Sequence, residues 1–131
     1  MQITTPLSDE LGRYLDLSGV ELKLTAQNMA NIDTPGYRTV GFDFAEEMQR
    51  WLAETLEERK VEATGQESAR KVTAVSVDLV GGLIERPDGN NVSMDREGMK
   101  MAEAQLQFRT GVELIKCEFT RELDAIHADS R

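Results

Sequence analysis

Asn28-Met29-Ala30-Asn31-Ile32-Asp33-Thr34-Pro35-Gly36-Tyr37 is a stretch in which a helix has to stop and the chain has to turn. Pro35 excludes Thr34 from the helical region of backbone space. Pro35 and Gly36 then fill the two central positions of a type II turn, which places Gly36 at positive φ. Asn31 suits a left-handed cap at the helix end. The stretch therefore predicts one helix before it and a redirected chain after it.

Upstream, Leu11, Leu15, Leu22 and Met29 fall on one stripe, with Ser18 and Thr25 completing alternating spacings of four and three. That pattern predicts a coiled-coil-like helix from Ser8 to about Asn31. Pro6 marks its start, Ser8 is the expected N-cap, and Asp9 and Glu10 suit the positive end of the helix dipole. A second stripe of Leu17, Val20 and Leu24 gives the helix more apolar surface than one neighbour covers, so two neighbours are expected.

Downstream, Phe44, Met48, Leu52 and Leu56 recur every four residues beside Trp51, with Glu46, Glu47, Glu54, Glu57 and Glu58 opposite. A shorter amphipathic helix from Phe42 to about Lys60, with a solvated acidic face, is predicted. Val61 to Lys71 reads as a loop. Val75, Val77 and Leu79 alternate with Ser76 and Asp78 as a strand does, and Gly81-Gly82 before Leu83-Ile84 allows a small hairpin.

Arg86-Pro87-Asp88-Gly89-Asn90-Asn91 is the strongest break in the chain. After it Ser93 is the expected cap, with Asp95 and Glu97 in the first turn. Met101, Phe108, Val112, Ile115, Phe119, Leu123 and Ile126 then form a coiled-coil-like stripe on a helix reaching about Ala128, and Met99, Ala102 and Leu106 add a second edge. The fold class that results is mainly α. Two long terminal helices form a coiled-coil-like pair around a small irregular middle with a short helix and room for a β-hairpin.

The expected organisation is one structural unit: an N-terminal helix and turn over 1–41, a variable middle over 42–86, and a C-terminal helix over 87–131. Leu15, Leu22 and Met29 are expected to face Phe108, Ile115 and Phe119. The two stripes, from Leu11 to Met29 and from Met101 to Ile126, carry more apolar surface than the small middle covers, so they are also the expected assembly interface.

Composition narrows the function classes. The 131 residues carry a formal net charge of −9 with no basic cluster, which argues against nucleic acid and anionic membrane surfaces as partners. The single cysteine, Cys117, forms neither an internal disulfide nor a multi-thiolate metal site. No apolar run approaches a membrane span, and the first residues lack the pattern of a cleaved signal. The expectation is a cytoplasmic protein, or one exported by a route that cleaves no signal.

Catalytic chemistry finds little to use. The sole histidine, His127, lies near the chain end, a poor place for a preorganised base. Asp88, Asn90 and Asp95 resemble the start of a calcium loop, but Gly89 is second instead of sixth and Met99 occupies the twelfth position. Gly81-Gly82 lacks the lysine of a phosphate-binding loop. Asn91-Val92-Ser93 fits the glycosylation tripeptide but reads as the entry to a helix. No enzyme activity, cofactor, metal or small-molecule substrate is expected. A soluble helical adaptor or chaperone dimerising through the stripes would explain the acidity and spacing, but not the stretch from Asn31 to Tyr37.

The stretch from Asn28 to Tyr37, closing a heptad helix, resembles the signature of bacterial flagellar rod and hook proteins. Phe42-Asp43-Phe44, Asp88-Gly89-Asn90-Asn91-Val92 leading into Met94-Asp95-Arg96-Glu97, and Met101 to Phe108 are similar to the proximal-rod branch of that family. The likeness covers about the first 45 and last 45 residues. It implies family-motif roles for Asn28, Ala30, Asn31, Thr34, Pro35, Gly36, Tyr37, Asp88, Gly89, Asn90 and Asn91. It further implies a structural subunit of the periplasmic basal-body rod that transmits motor torque and leaves the cell through the flagellar type III export apparatus. Implied partners are other rod proteins, the membrane-ring base with its adaptor protein, and copies of itself.

Overall fold

The structure, a computed structural model, describes residues 5–63 and 74–128, with side chains over 5–60 and 74–128. In chain order it contains α1 (Pro6–Ala30), β1 (Val40–Gly41), α2 (Phe44–Ala63), β2 (Asp78–Leu79) and α3 (Met94–Ala128). The molecule is mainly helical, with the expected long terminal helices.

α1 begins earlier than the capping pattern predicts. Thr5, not Ser8, is the N-cap: its Oγ1 accepts from the Ser8 N–H at 3.2 Å, and Ser8 Oγ donates back to the Thr5 carbonyl. Pro6 explains the shift, since its fixed φ suits the first helical position and it has no N–H to leave unsatisfied. The other end of α1 also differs in detail. Asn31 has φ −102°, outside the left-handed region, and the helix closes by a tight turn in which Asn31 N–H reaches the Asn28 carbonyl. Gly36 has φ +72°, and the Tyr37 N–H bonds the Thr34 carbonyl across the turn, as a type II geometry requires.

α1 and α3 lie antiparallel. Thr5 Oγ1 meets Glu118 Oε1 at 3.3 Å, Leu15 lies against Gly111, and Asn28 Nδ2 reaches Glu97 Oε2 at 2.9 Å. Glu97, Ala104 and Gly111 are buried at successive spacings of seven, facing buried Ser18 and Thr25 of α1. The helices approach closely: a Cβ on Gly111 would lie 2.8 Å from Leu15 Cδ2 and 3.1 Å from Tyr14 Cδ1.

This seam corrects the expected pairing. Phe108 and Phe119 are 39% and 51% exposed and are not its knobs. At about 100° per residue, the apolar stripe of α3 lies roughly 70° around the helix from the buried line. Small residues let the backbones come together, and that proximity leaves no room between them for rings.

α2 also leans on α1. Tyr14 and Phe44 pack edge to face with centroids 5.2 Å apart, and Arg13 Nη2 lies 3.9 Å from Glu47 Oε2. No Cα of α2 comes within 8 Å of α3 among the described residues, so α1 carries both neighbours. Glu47 does not belong to a solvated face. It is 4% exposed, accepts from Arg50 and from the Ser76 N–H at 3.2 Å, and so ties the chain after α2 back to α1.

The antiparallel strand pair is present, but its partner is β1, through Val40↔Leu79 and Gly41↔Asp78, instead of Leu83-Ile84. The Val80 N–H extends the pairing to the Thr39 carbonyl at 2.9 Å. α2 runs through Ala63. The rest of the expected loop, residues 64–71, lies outside the described residues.

Candidate functional site: a locked junction and an open apolar end

The two breaks in the sequence meet in space. Asn28 is buried, and its amide makes all four of its hydrogen bonds. Nδ2 donates to the Val40 carbonyl at 2.8 Å and to Glu97 Oε2 at 2.9 Å. Oδ1 accepts from the Val40 N–H and the Tyr37 hydroxyl, both at 3.1 Å. One side chain thus joins the end of α1, the strand β1 and the first turn of α3.

Asn90 is fully buried and does the same for the turn. Its Nδ2 lies within 3.0 Å of the Asn31, Ile32 and Thr34 carbonyls, in the turn that follows α1. Its Oδ1 accepts from the Val92 N–H at 2.8 Å. Asn91 Oδ1 accepts from the Thr39 N–H at 2.7 Å. The Asp88 carbonyl takes the Gly36 N–H at 2.8 Å, and a Cβ on Gly89 would come 3.4 Å from Gly36 Cα. Gly89, at φ +80°, thereby lets the two turns lie backbone to backbone.

Of the motif positions, Asn28, Asn31, Gly36, Tyr37, Asp88, Gly89, Asn90 and Asn91 converge on this junction. Ala30, Thr34 and Pro35 sit at its exposed edge, where Thr34 Oγ1 donates to Asn31 Oδ1 at 3.2 Å. Glu97 was missed as a buried partner, because an acid in a first helical turn reads as a dipole complement. Its spacing of seven from Ala104 and Gly111 was the available signal.

Burial perturbs the groups around this seam. It raises the Tyr37 pKa, an effect that a hydrogen bond with Gln27 opposes and the Glu97 charge reinforces. Burial raises the Glu21 pKa as well, with Lys100 opposing and Glu103 adding to the shift. Tyr14 rises through burial and the nearby Glu21 charge. Among the described residues no group of three or more His, Cys, Asp or Glu is placed to hold a metal, and no helix is long and apolar enough to cross a membrane.

The stripe residues divide by depth. Leu11, Leu15, Leu22 and Met29 of α1, and Met101, Val112 and Ile115 of α3, are half-buried. Phe108, Phe119, Leu123 and Ile126 are exposed, and exposure rises to 60% at Ile126. α3 continues ten residues past Glu118, the level of Thr5, a projection of about 15 Å. At the same end a groove of about 440 Å³ opens between α1 and α2, lined by Pro6, Leu7, Glu10, Trp51, Leu52, Thr55, Leu56 and Arg59.

No protein-family model matches the chain. Curated relatives do. The flagellar basal body rod protein FlgB of Salmonella typhimurium is 33% identical over 108 residues, covering 77% of this chain and 78% of the relative. That of Cereibacter sphaeroides is 30% identical over 132 residues, covering 95% and 99%. The Bacillus subtilis protein of the same name is 26% identical over 123 residues, covering 91% and 92%. With identity of this degree over most of both chains, the protein belongs to the FlgB family of flagellar basal body rod proteins.

Proposed function

We propose that this chain is a structural subunit of the proximal rod that completes its packing only on assembly and transmits motor torque through its terminal helices. The observation that carries this reading is the position of the α3 stripe: the helix pair is closed by small residues, leaving Phe108, Phe119, Leu123 and Ile126 available to neighbours. Monomeric proteins rarely leave a contiguous apolar stripe of this kind in water. A shaft under torque needs subunits locked by many apolar contacts. The neighbours are further rod proteins, the membrane-ring base with its adaptor, and copies of the chain. The route to the periplasm is the flagellar type III export apparatus, without a cleaved signal.

Phe119→Asp tests the reading. The residue is half exposed in the free chain, so its replacement should change unfolding stability by less than about 0.5 kcal/mol. In an assembled seam it would bury an unpaired carboxylate in every subunit. Expected are normal solubility and export, with loss of completed flagella and motility. Normal motility would overturn the proposal, and an insoluble or degraded chain would assign Phe119 to the monomer core instead.

A further inference from the structure

The protein is fastened together in two different ways. α1 and α3 close on each other through the small residues of the seam and the Asn28–Glu97 bond, and Asn90 binds the turn that follows α1. α2 takes no part in that closure. Among the described residues no Cα of α2 comes within 8 Å of α3 or of β2, and β2 comes that close only to β1. Beyond its first turns α2 is parted from α1 by the groove of about 440 Å³, where Leu56 stays 56% exposed.

What holds the middle is gathered at one carboxylate. Glu47, 4% exposed, takes a hydrogen bond from Arg50 at Oε2, which also lies 3.9 Å from Arg13 Nη2 of α1. Its Oε1 accepts from the Ser76 N–H at 3.2 Å, and Arg50 Nη2 reaches the Ala74 carbonyl at 3.5 Å. Thus α1, α2 and residues 74–76 meet at this group. The Tyr14–Phe44 ring contact and the short β1–β2 ladder, extended by Val80, add to it.

We propose that α2 and residues 74–80 form an arm that opens from α1 while the α1–α3 pair stays closed, with Glu47 as its latch and Phe42-Asp43 as its hinge. The inference concerns the free chain and stands apart from the assembly reading. Opening breaks the Glu47 contacts, one ring pair and a two-residue ladder, and leaves the seam and the Asn28 junction intact. Such a unit opens at lower free energy than the whole fold. It uncovers Arg13 and Tyr14, so the arm decides whether that flank of α1 is presented to a neighbour. Removing the Glu47 carboxylate favours the open arm, because Arg13 and Arg50 lose the charge that faces them only while the arm is closed.

Hydrogen exchange of the free full-length chain, read by mass spectrometry, tests this. In the wild type, peptides from α2 should exchange faster than those of the seam. Glu47→Ala should accelerate exchange in α2 and around Val80 at least tenfold, while peptides covering Leu15 to Thr25 and Ala104 to Gly111 stay within twofold of the wild type. Glu47→Gln keeps the volume and an acceptor for the Ser76 N–H, so it should accelerate the same peptides about threefold, and it serves as the test where Glu47→Ala does not fold. Equal acceleration of arm and seam would overturn the proposal, because the chain would then open as one unit. Unchanged exchange in α2 would remove Glu47 as the latch. Loss of folding in both variants would also overturn it, since the helix pair would then depend on the arm.

Discussion

The two ends of α1 are held in opposite ways. At its C-terminal end Asn28, Asn90 and Asn91 spend their amides on backbone groups and on Glu97, and every one of these side chains is buried. At its N-terminal end Thr5 caps the helix, but Leu7, Leu56, Phe119 and Leu123 remain at least 43% exposed. Hydrogen bonds are directional and these close within one chain, so the first end is specific, although Glu97 Oε1 stays buried there without a hydrogen-bond partner among the described residues. Apolar surface is non-directional and gains from any area that covers it, so the second end waits for neighbours.

The largest expected effect breaks this contrast from the closed side. Asn28→Leu leaves the Glu97 carboxylate, the Val40 N–H and carbonyl and the Tyr37 hydroxyl without their partner. A loss on the order of 4 kcal/mol is expected by denaturant unfolding of the free chain. A change below about 1 kcal/mol would mean that the junction is not what holds α1 to α3.

Midway between the ends, Gly111→Leu probes the close approach. Its side chain would enter space held by Leu15 and Tyr14, and forcing the helices apart should reduce stability by about 2–3 kcal/mol. Gly111→Ala should lose less, because a single methyl needs only a small shift of the Leu15 side chain. Equal losses for the two variants would show that the seam is more yielding than its spacing implies.

The smallest effect is a pH dependence along the same seam. The Glu21 pKa is raised in the folded chain above its unfolded value, so the folded state holds this proton more tightly. Stability from this group therefore falls as pH rises from the unfolded carboxylate value through the raised folded one. Glu21→Gln removes that dependence and should be slightly more stable at neutral pH, by no more than about 0.5 kcal/mol after solvent screening. Thermal melts across the carboxylate range check the sign, and a variant whose midpoint falls more steeply with rising pH would contradict it.

Local signals explain which features were legible. Pro35 and Gly36 carry their turn in their own backbone preferences, and Gly36 has the positive φ they require. The heptads of α1 and α3 announced two long helices because periodicity is an intrachain property. Glu47 was misread because a carboxylate on an acidic helix face looks solvated until Arg13, Arg50 and the Ser76 N–H are brought around it. The strand partner of Asp78–Leu79 lies some 38 residues away, and no short-range pattern names it.

By itself the sequence determined where helices begin and end to within a few residues, which turns break them, and that apolar stripes exceed one chain's needs. Tertiary structure alone decided which stripe becomes the seam. Packing of two helices is governed by how closely their backbones can approach, and Ser18, Thr25, Ala104 and Gly111 allow a distance that Phe108 and Phe119 forbid. Hydrophobicity counts rank the rings first, whereas close packing selects the small residues and turns the rings outward.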